Sequence, residues 1–249
     1  MSYREPRPIV FGGSLSPGVR TLVIVTIGVW VFQLLAGFLA QVRLERLFGL
    51  VPYEVVHHLY LWQMATYLFL HGGFLHILFN MLALWMFGNE LEDLWGTQRF
   101  VRFYFITGIG AALCSILVTP NSTIPIIGAS GAIYGILAAY GILFPDRTLL
   151  LYFVIPIKAK YFVIILGALA FWATLTSTGG GVANVAHLGG LLFGWLYMRR
   201  FGRGSGRGGS FQWRNPIKQW RERVRQNRLR KKFKVYYRNT RGEDDGGDE

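Results

Sequence analysis

The sequence predicts an all-α integral membrane protein, a bundle of six transmembrane helices with an interfacial first loop. Three observations predict it. Hydrophobic residues make up 52% of the 249-residue chain against 16% charged. The charges avoid the middle, since 16 of the 26 Lys and Arg follow residue 198. Apolar runs near the length of about 20 residues that a bilayer-crossing helix needs recur from residue 21 to residue 199. A core so apolar and uncharged cannot face water. The formal net charge of +13 belongs mostly to the C-terminal tail and says little about that core.

Three regions follow: a cytosolic N-terminal tail over 1–20, a membrane domain over 21–200, and a basic cytosolic C-terminal tail with an acidic end over 201–249. The opening stretch "MSYREPRPIVFGGSLSPGVR" is polar and rich in Pro and Gly, and it runs into an apolar segment with no small-residue cleavage site. It reads as a tail leading into a first span, not as a removed signal peptide. The spans are expected at about 21–41, 72–91, 100–118, 130–145, 150–176 and 183–199, the fifth starting nearer 160. The fourth and sixth are short, and each holds glycine and a polar functional group, so protein neighbours rather than lipid are expected around them.

Basic residues orient the bundle. Arg4, Arg7 and Arg20 precede the first span, Arg99 and Arg102 follow the second, and Arg147, Lys158 and Lys160 separate the fourth from the fifth. The connections "TPNSTIPIIG" and "TSTGGGVANVA" contain no basic residue. Both termini are therefore expected in the cytoplasm, and only Arg43 and Arg46 in the first connection break the pattern. That connection, "VRLERLFGLVPYEVVHHLYLWQMATY", is too long for a turn and too amphipathic for a solvated loop. It is expected in the outer interface, aromatics at headgroup depth and Arg side chains reaching water. His57 and His58 lie here without a third ligand at useful spacing, so they give no metal site.

After residue 200, "RFGRGSGRGGS" reads as a linker, and "FQWRNPIKQWRERVRQNRLRKKFKVYYRNT" as a basic segment beside a span that attracts anionic lipid headgroups. No folded nucleic-acid recognition module is readable in it. The single cysteine, Cys114, cannot form an intramolecular disulfide and stands in an apolar run as a small hydrophobe.

Polar groups within spans are expensive and mark candidate sites. Three clusters qualify. "GASG", Gly128 to Gly131, follows a polar outer loop and opens the fourth helix. Ser130 is thus placed at a helix N-terminus, where free N–H groups and partial positive charge favour an anion. Gly128 and Gly131 leave the backbone bare enough for a substrate carbonyl to approach. These are the requirements of a nucleophile beside an oxyanion hole, although a capping serine has the same position. The motif is not the soluble hydrolase elbow, because its fifth position is Ala132 in a helical context. "ANVAHLGGLLFGW" places His187 near the outer end of the sixth span, with Gly190 and Gly194 at i+3 and i+7 on its face. Such a glycine stripe admits another helix closely, and the fourth helix carries its own pair, Gly131 and Gly135. Ser130 and His187 match in depth. "HGGFLHILFN" puts His76 and Asn80 four apart on one helical face, with His71 five before His76. The Asn80 amide suits stabilisation of a developing oxyanion, or an interhelical hydrogen bond alone. Neither H-E-x-x-H nor an accompanying carboxylate is present, so the histidines imply no metal.

Together, "GASG", "AHLGGLLFG" and "HGGFLHILFN" on a six-span chain resemble the rhomboid family of intramembrane serine proteases, over about residues 20–200. The resemblance implies a rhomboid-like bundle in which Ser130 is the nucleophile and His187 the general base of a dyad without an acidic third member. It implies an oxyanion hole of Asn80, His76 and the Ser130 N–H, and it makes Tyr134 the tyrosine that packs on the histidine. Trp62 fits the family's loop tryptophan, while Gln63 stands where an arginine is often found and leaves the anchoring of the first loop open. "GNELED" resembles the family's glycine–glutamate segment, with Glu92 as its structural carboxylate. No cofactor is implied, and the partners are transmembrane protein substrates cut near their extracytoplasmic end.

Hydrolysis needs water, so the site must open outward between helices, bordered by "TPNST" and "TSTGGGVAN", with Gly179 to Gly181 as a hinge for a movable cap. The alternative is a catalytically inactive relative that binds transmembrane clients; this chain keeps Ser130, His187 and Asn80. A transporter or channel has less support, for the spans hold no charge pair or repeated half. A single cysteine and short tails suit a bacterial inner membrane.

Overall fold

A computed structural model describes residues 14–151, 155–176 and 182–202. The expected Gly179–Gly181 hinge, most of the N-terminal tail and the basic tail from residue 203 lie outside the described residues. The first helix, α1, runs Pro17–Ala40, four residues ahead of the sequence expectation, because Pro17 is preorganised for a first helical position. The first N–H groups of a helix have no partner within it. Here the Glu92 carboxylate supplies one, accepting from Gly18 and Val19 N–H at 2.8 Å each and from the hydroxyls of Ser16 (2.6 Å) and Thr97. A carboxylate at a helix N-terminus also complements the dipole, which makes Glu92 a structural group.

The first connection is a chain of short helices: α2 (Leu44–Phe48), α3 (Pro52–His58) and α4 (Gln63–Thr66), the last continuing as a 3₁₀ turn, Tyr67–Phe69. Gln63 is fully buried and anchors it. Its Oε1 accepts from Val51 N–H at 2.9 Å, and its Nε2 donates to the carbonyls of Arg46 and Leu47 at 3.3 and 3.4 Å. Trp62 Nε1 and Thr66 Oγ1 add bonds to the Leu47 and Phe48 carbonyls, at 2.9 and 2.7 Å. A guanidinium could donate to those carbonyls but could not accept from Val51 N–H, so the amide suits this site. The question the sequence left open about Gln63 has this answer.

Next come α5 (Phe74–Ala83), a π-helical turn (Leu84–Gly88) and α6 (Asn89–Trp95), which read as one long helix. Gly96, at φ +80°, breaks it before α7 (Thr97–Val118). Then follow α8 (Ser130–Leu143), α9 (Ala159–Thr176) and α10 (Val182–Phe201). The described residues are mostly helical, as an all-α membrane fold requires, and between α8 and α9 stands one small addition, an antiparallel strand pair, β1 (Thr148–Leu151) with β2 (Ile155–Lys158), in register Leu149↔Ile157. The run is apolar like a span, but Pro156 is incompatible with a helix interior and tolerable at a sheet edge. The helix therefore starts at Ala159.

Among the described residues, four helical stretches are long and apolar enough to cross a membrane: Pro17–Ala40, Phe74–Trp95, Thr97–Val118 and Ala159–Thr176; Ser130–Leu143 is shorter. The core gathers where α7, α8 and α10 meet the 3₁₀ turn, with Tyr67, Phe100, Phe103, Tyr104, Ile136 and Tyr140 buried.

Candidate active site

The loop leading to Ser130 is held by the first connection. Leu50 and Ile126 exchange backbone bonds of 2.9 and 2.8 Å, Tyr53 N–H donates to Ser122 C=O at 3.0 Å, and Gly128 N–H donates to Tyr67 C=O at 2.9 Å. Gly128 has φ +120°, a backbone state costly to any residue with a Cβ, and it turns the chain into α8. Ser130 is the first residue of that helix.

Glycines then set how near α10 comes. A Cβ on Gly190 would lie 2.0 Å from the Gly131 carbonyl oxygen, and one on Gly194 would lie 2.7 Å from that of Gly135. The two contacts advance together along both helices, so α8 and α10 run parallel in this seam. In lipid the hydrophobic effect does not drive helices together, and close backbone packing of this kind does. Gly135 itself abuts Thr107 of α7, which bonds to the carbonyls of Phe103 and Tyr104 and lies 3.4 Å from that of Ala132.

This approach brings His187 Nε2 to 2.8 Å from Ser130 Oγ. Both side chains are half-buried, reachable yet screened from bulk solvent. The Tyr134 ring stacks on the imidazole at 4.4 Å between centroids and 4° between planes, which fixes the ring's orientation. An imidazole nitrogen that near a hydroxyl can take its proton as the oxygen attacks. Among the described residues the histidine–carboxylate contact is His58 with Glu54, away from this pair.

His76 and Asn80 stand one helical turn apart on α5. Gly72 N–H donates to His76 Nδ1 at 3.3 Å, so the proton of a neutral ring resides on Nε2. That edge faces Gly128, where a Cβ would stand 2.7 Å from both Cε1 and Nε2. Asn80 Nδ2 donates one hydrogen to the His76 carbonyl at 2.8 Å, which leaves its second hydrogen for another acceptor. The sequence-predicted Ser130, His187, Tyr134, His76, Gly128 and Gly131 thus form one constellation, with Asn80 on the same helix as His76. His57 and His58 stay apart, packed on Tyr53. Cys114 packs against Gly189, a small group filling a narrow seam.

Sequence reasoning passed over two residues. Tyr67 is fully buried, donates to the Gly108 carbonyl at 2.8 Å and lies near Gly131. Gln33, on α1, grips the backbone of His71. An amide within an otherwise apolar first span was the available signal for Gln33; nothing in the local pattern distinguishes Tyr67 from an ordinary core aromatic.

Comparison with known proteins gives the family context. A family model described as a rhomboid domain matches residues 58–203. The chain is 36% identical over 134 residues to the mitochondrial Rhomboid protein 1 of Saccharomyces cerevisiae, covering 52% of this chain and 38% of that protein. It is 34% identical over 135 residues to Rhomboid protease GluP of Bacillus subtilis, covering 54% and 25%. To Rhomboid protease AarA of Providencia stuartii it is 31% identical over 195 residues, covering 71% and 69%. The matched region spans well under half the length of the first two relatives and about two thirds of the third.

Proposed function

The chain belongs to the rhomboid family, an integral membrane protein with relatives named as proteases, and we propose that it is itself an intramembrane serine endopeptidase. The observation that carries this reading is the 2.8 Å approach of His187 to Ser130 in a glycine-packed seam. The proposed bundle has six spans over 21–200, α8 being the short one while α10 reaches 20 residues against the shorter expectation, with an interfacial first loop, both termini cytoplasmic and basic tail segments on anionic headgroups. A bacterial inner membrane is the proposed location.

In the proposed reaction, Ser130 Oγ attacks the scissile carbonyl while its proton passes to His187 Nε2. The carbonyl oxygen becomes an oxyanion that Ser130 N–H, the free Asn80 hydrogen and His76 Nε2–H can receive. Protonated His187 then gives its proton to the leaving amine as the C–N bond breaks, which yields an acyl-enzyme. Water, deprotonated by His187, hydrolyses the ester and releases Ser130. Tyr134 keeps the imidazole in line throughout. The substrate is a transmembrane helix that unwinds near its extracytoplasmic end, the side to which the Ser130 end of α8 is assigned by the charge pattern.

Reconstitution with a single-span model substrate tests this. Wild type is expected to release product and Ser130→Ala none; equal product from both removes the proposal. Substrate retained but uncut by wild type favours the inactive, client-binding alternative. Asn80→Ala is expected to lower kcat roughly 10²–10³-fold with the fold intact.

A further inference from the structure

The proposed oxyanion role of His76 requires its hydrogen on Nε2, and the contacts behind that ring lead to α1. Gln33, buried on α1, pairs with the peptide backbone of His71 in both directions: its Oε1 accepts from His71 N–H and its Nε2 donates to His71 C=O, each at 3.1 Å. The second Nε2 hydrogen goes to Glu45 Oε1 at 2.7 Å, so the carboxamide is satisfied at both ends and cannot rotate freely.

The His71 carbonyl and the Gly72 N–H belong to one peptide group, which is planar and trans. Fixing the direction of its oxygen therefore fixes the direction of its hydrogen, on the opposite side. That hydrogen is the one donated to His76 Nδ1. Gln33 grips one end of the plane, and the other end decides which nitrogen of His76 is the acceptor. The His71 ring, edge-on to His76 at 4.9 Å between centroids, limits rotation of the imidazole away from this bond. Gly72 and Gly73 carry no side chain that could hold the segment, so an outside clamp is needed at this turn.

We propose that Gln33 is a positioning residue for the reaction, which acts through the His71–Gly72 peptide to hold His76 as the Nε2–H tautomer facing Gly128. The inference rests on the proteolytic reading for its catalytic consequence, but the tautomer is a property of the resting protein.

Two variants test it. Gln33→Met keeps length and loses all three bonds; Gln33→Glu keeps the acceptor for His71 N–H and loses the donor to His71 C=O. ¹⁵N–¹H correlation of ¹⁵N-histidine protein, with His76 assigned by difference from His76→Ala, reads the tautomer. Wild type is expected as Nε2–H, and both variants as a mixture of the two forms. With a reconstituted substrate, kcat is expected to fall about 10-fold, less than the loss of a whole oxyanion donor, with KM within about twofold. In a His76→Ala background, Gln33→Met is expected to add nothing further. An unchanged tautomer in both variants, or a full extra loss in the His76→Ala background, overturns the proposal in favour of a merely structural clamp. Absence of cleavage by wild type would instead refute the protease reading, and the tautomer measurement would still decide the role of Gln33.

Discussion

The seam of α8 with α10 and the helix α9 are built from similar apolar residues, yet they use them in opposite ways. In α8, nine of fourteen residues are buried, and glycines press its backbone against its neighbours. In α9, Ala159 and Ala170 are buried, while Ile164, Leu169, Phe171, Trp172 and Leu175 stand 56–67% exposed. Mean apolarity alone would not separate the two; the placement of small residues does. Lipid solvates Leu and Trp as well as a protein interior does, so only residues small enough to let backbones meet commit a helix to the bundle. The seam holds Ser130 and His187, the proposed dyad, and α9 presents its large side chains outward.

One substitution made in both regions should break the comparison most sharply. Gly190→Ala drives a Cβ to 2.0 Å from the Gly131 carbonyl, against backbone that cannot yield. It is expected to cost at least about 1–3 kcal/mol in overpacking and to abolish product formation, read by thermal unfolding in detergent and by substrate cleavage. Gly167→Ala on α9 meets only the end of the flexible Leu191 side chain at 3.1 Å, and should change stability by less than about 1 kcal/mol. Similar losses from both would refute the contrast.

Within the seam, Tyr134→Ala removes the ring stacked on His187. An aromatic pair is worth about 0.5–1.5 kcal/mol, so a fall in kcat of roughly 2–10-fold is expected, and Tyr134→Phe should restore it. On α9, Trp172→Leu exchanges one exposed apolar side chain for another, and cleavage should stay within about twofold.

The smallest effect is set by pH, at the loop between the two helices. The hydrogen bond from Lys160 (2.8 Å), aided by the charges of Lys160 and Lys158, holds the Asp146 carboxyl below its ordinary range. A depressed folded value stabilises the fold above the unfolded one and is lost as pH falls through the folded one. Because Asp146 is 68% exposed, the loss on acidification should be slight, visible only as a small narrowing of the gap in unfolding temperature between wild type and Asp146→Asn.

The seam was largely legible in the sequence because its physics is local and periodic. Gly131 and Gly135, Gly190 and Gly194 repeat at helical spacing, and Ser130 and His187 are polar groups amid apolar runs, so their rarity marks them. The strand pair, Thr148–Leu151 with Ile155–Lys158, was not legible, because its apolar run resembles the start of a span and only Pro156 argues otherwise. The roles of Gln63 and Gln33 were hidden for a different reason. Each bonds to backbone groups that are distant in sequence, and nothing in a side chain's neighbours announces such a partner. The expected six-span count rested on length and hydropathy, and α8, at 14 residues with nine of them buried, falls short on length.

The contact between helices four and six of the proposed bundle has one direct chemical readout. In the proposed dyad, Ser130 Oγ would attack the phosphorus of a fluorophosphonate and expel fluoride while His187 takes the serine proton. Intact-mass and peptide analysis of the folded protein in detergent should find one adduct, on Ser130, in wild type and none in His187→Ala. No adduct in folded wild type, or equal adduct without the imidazole, would contradict the account.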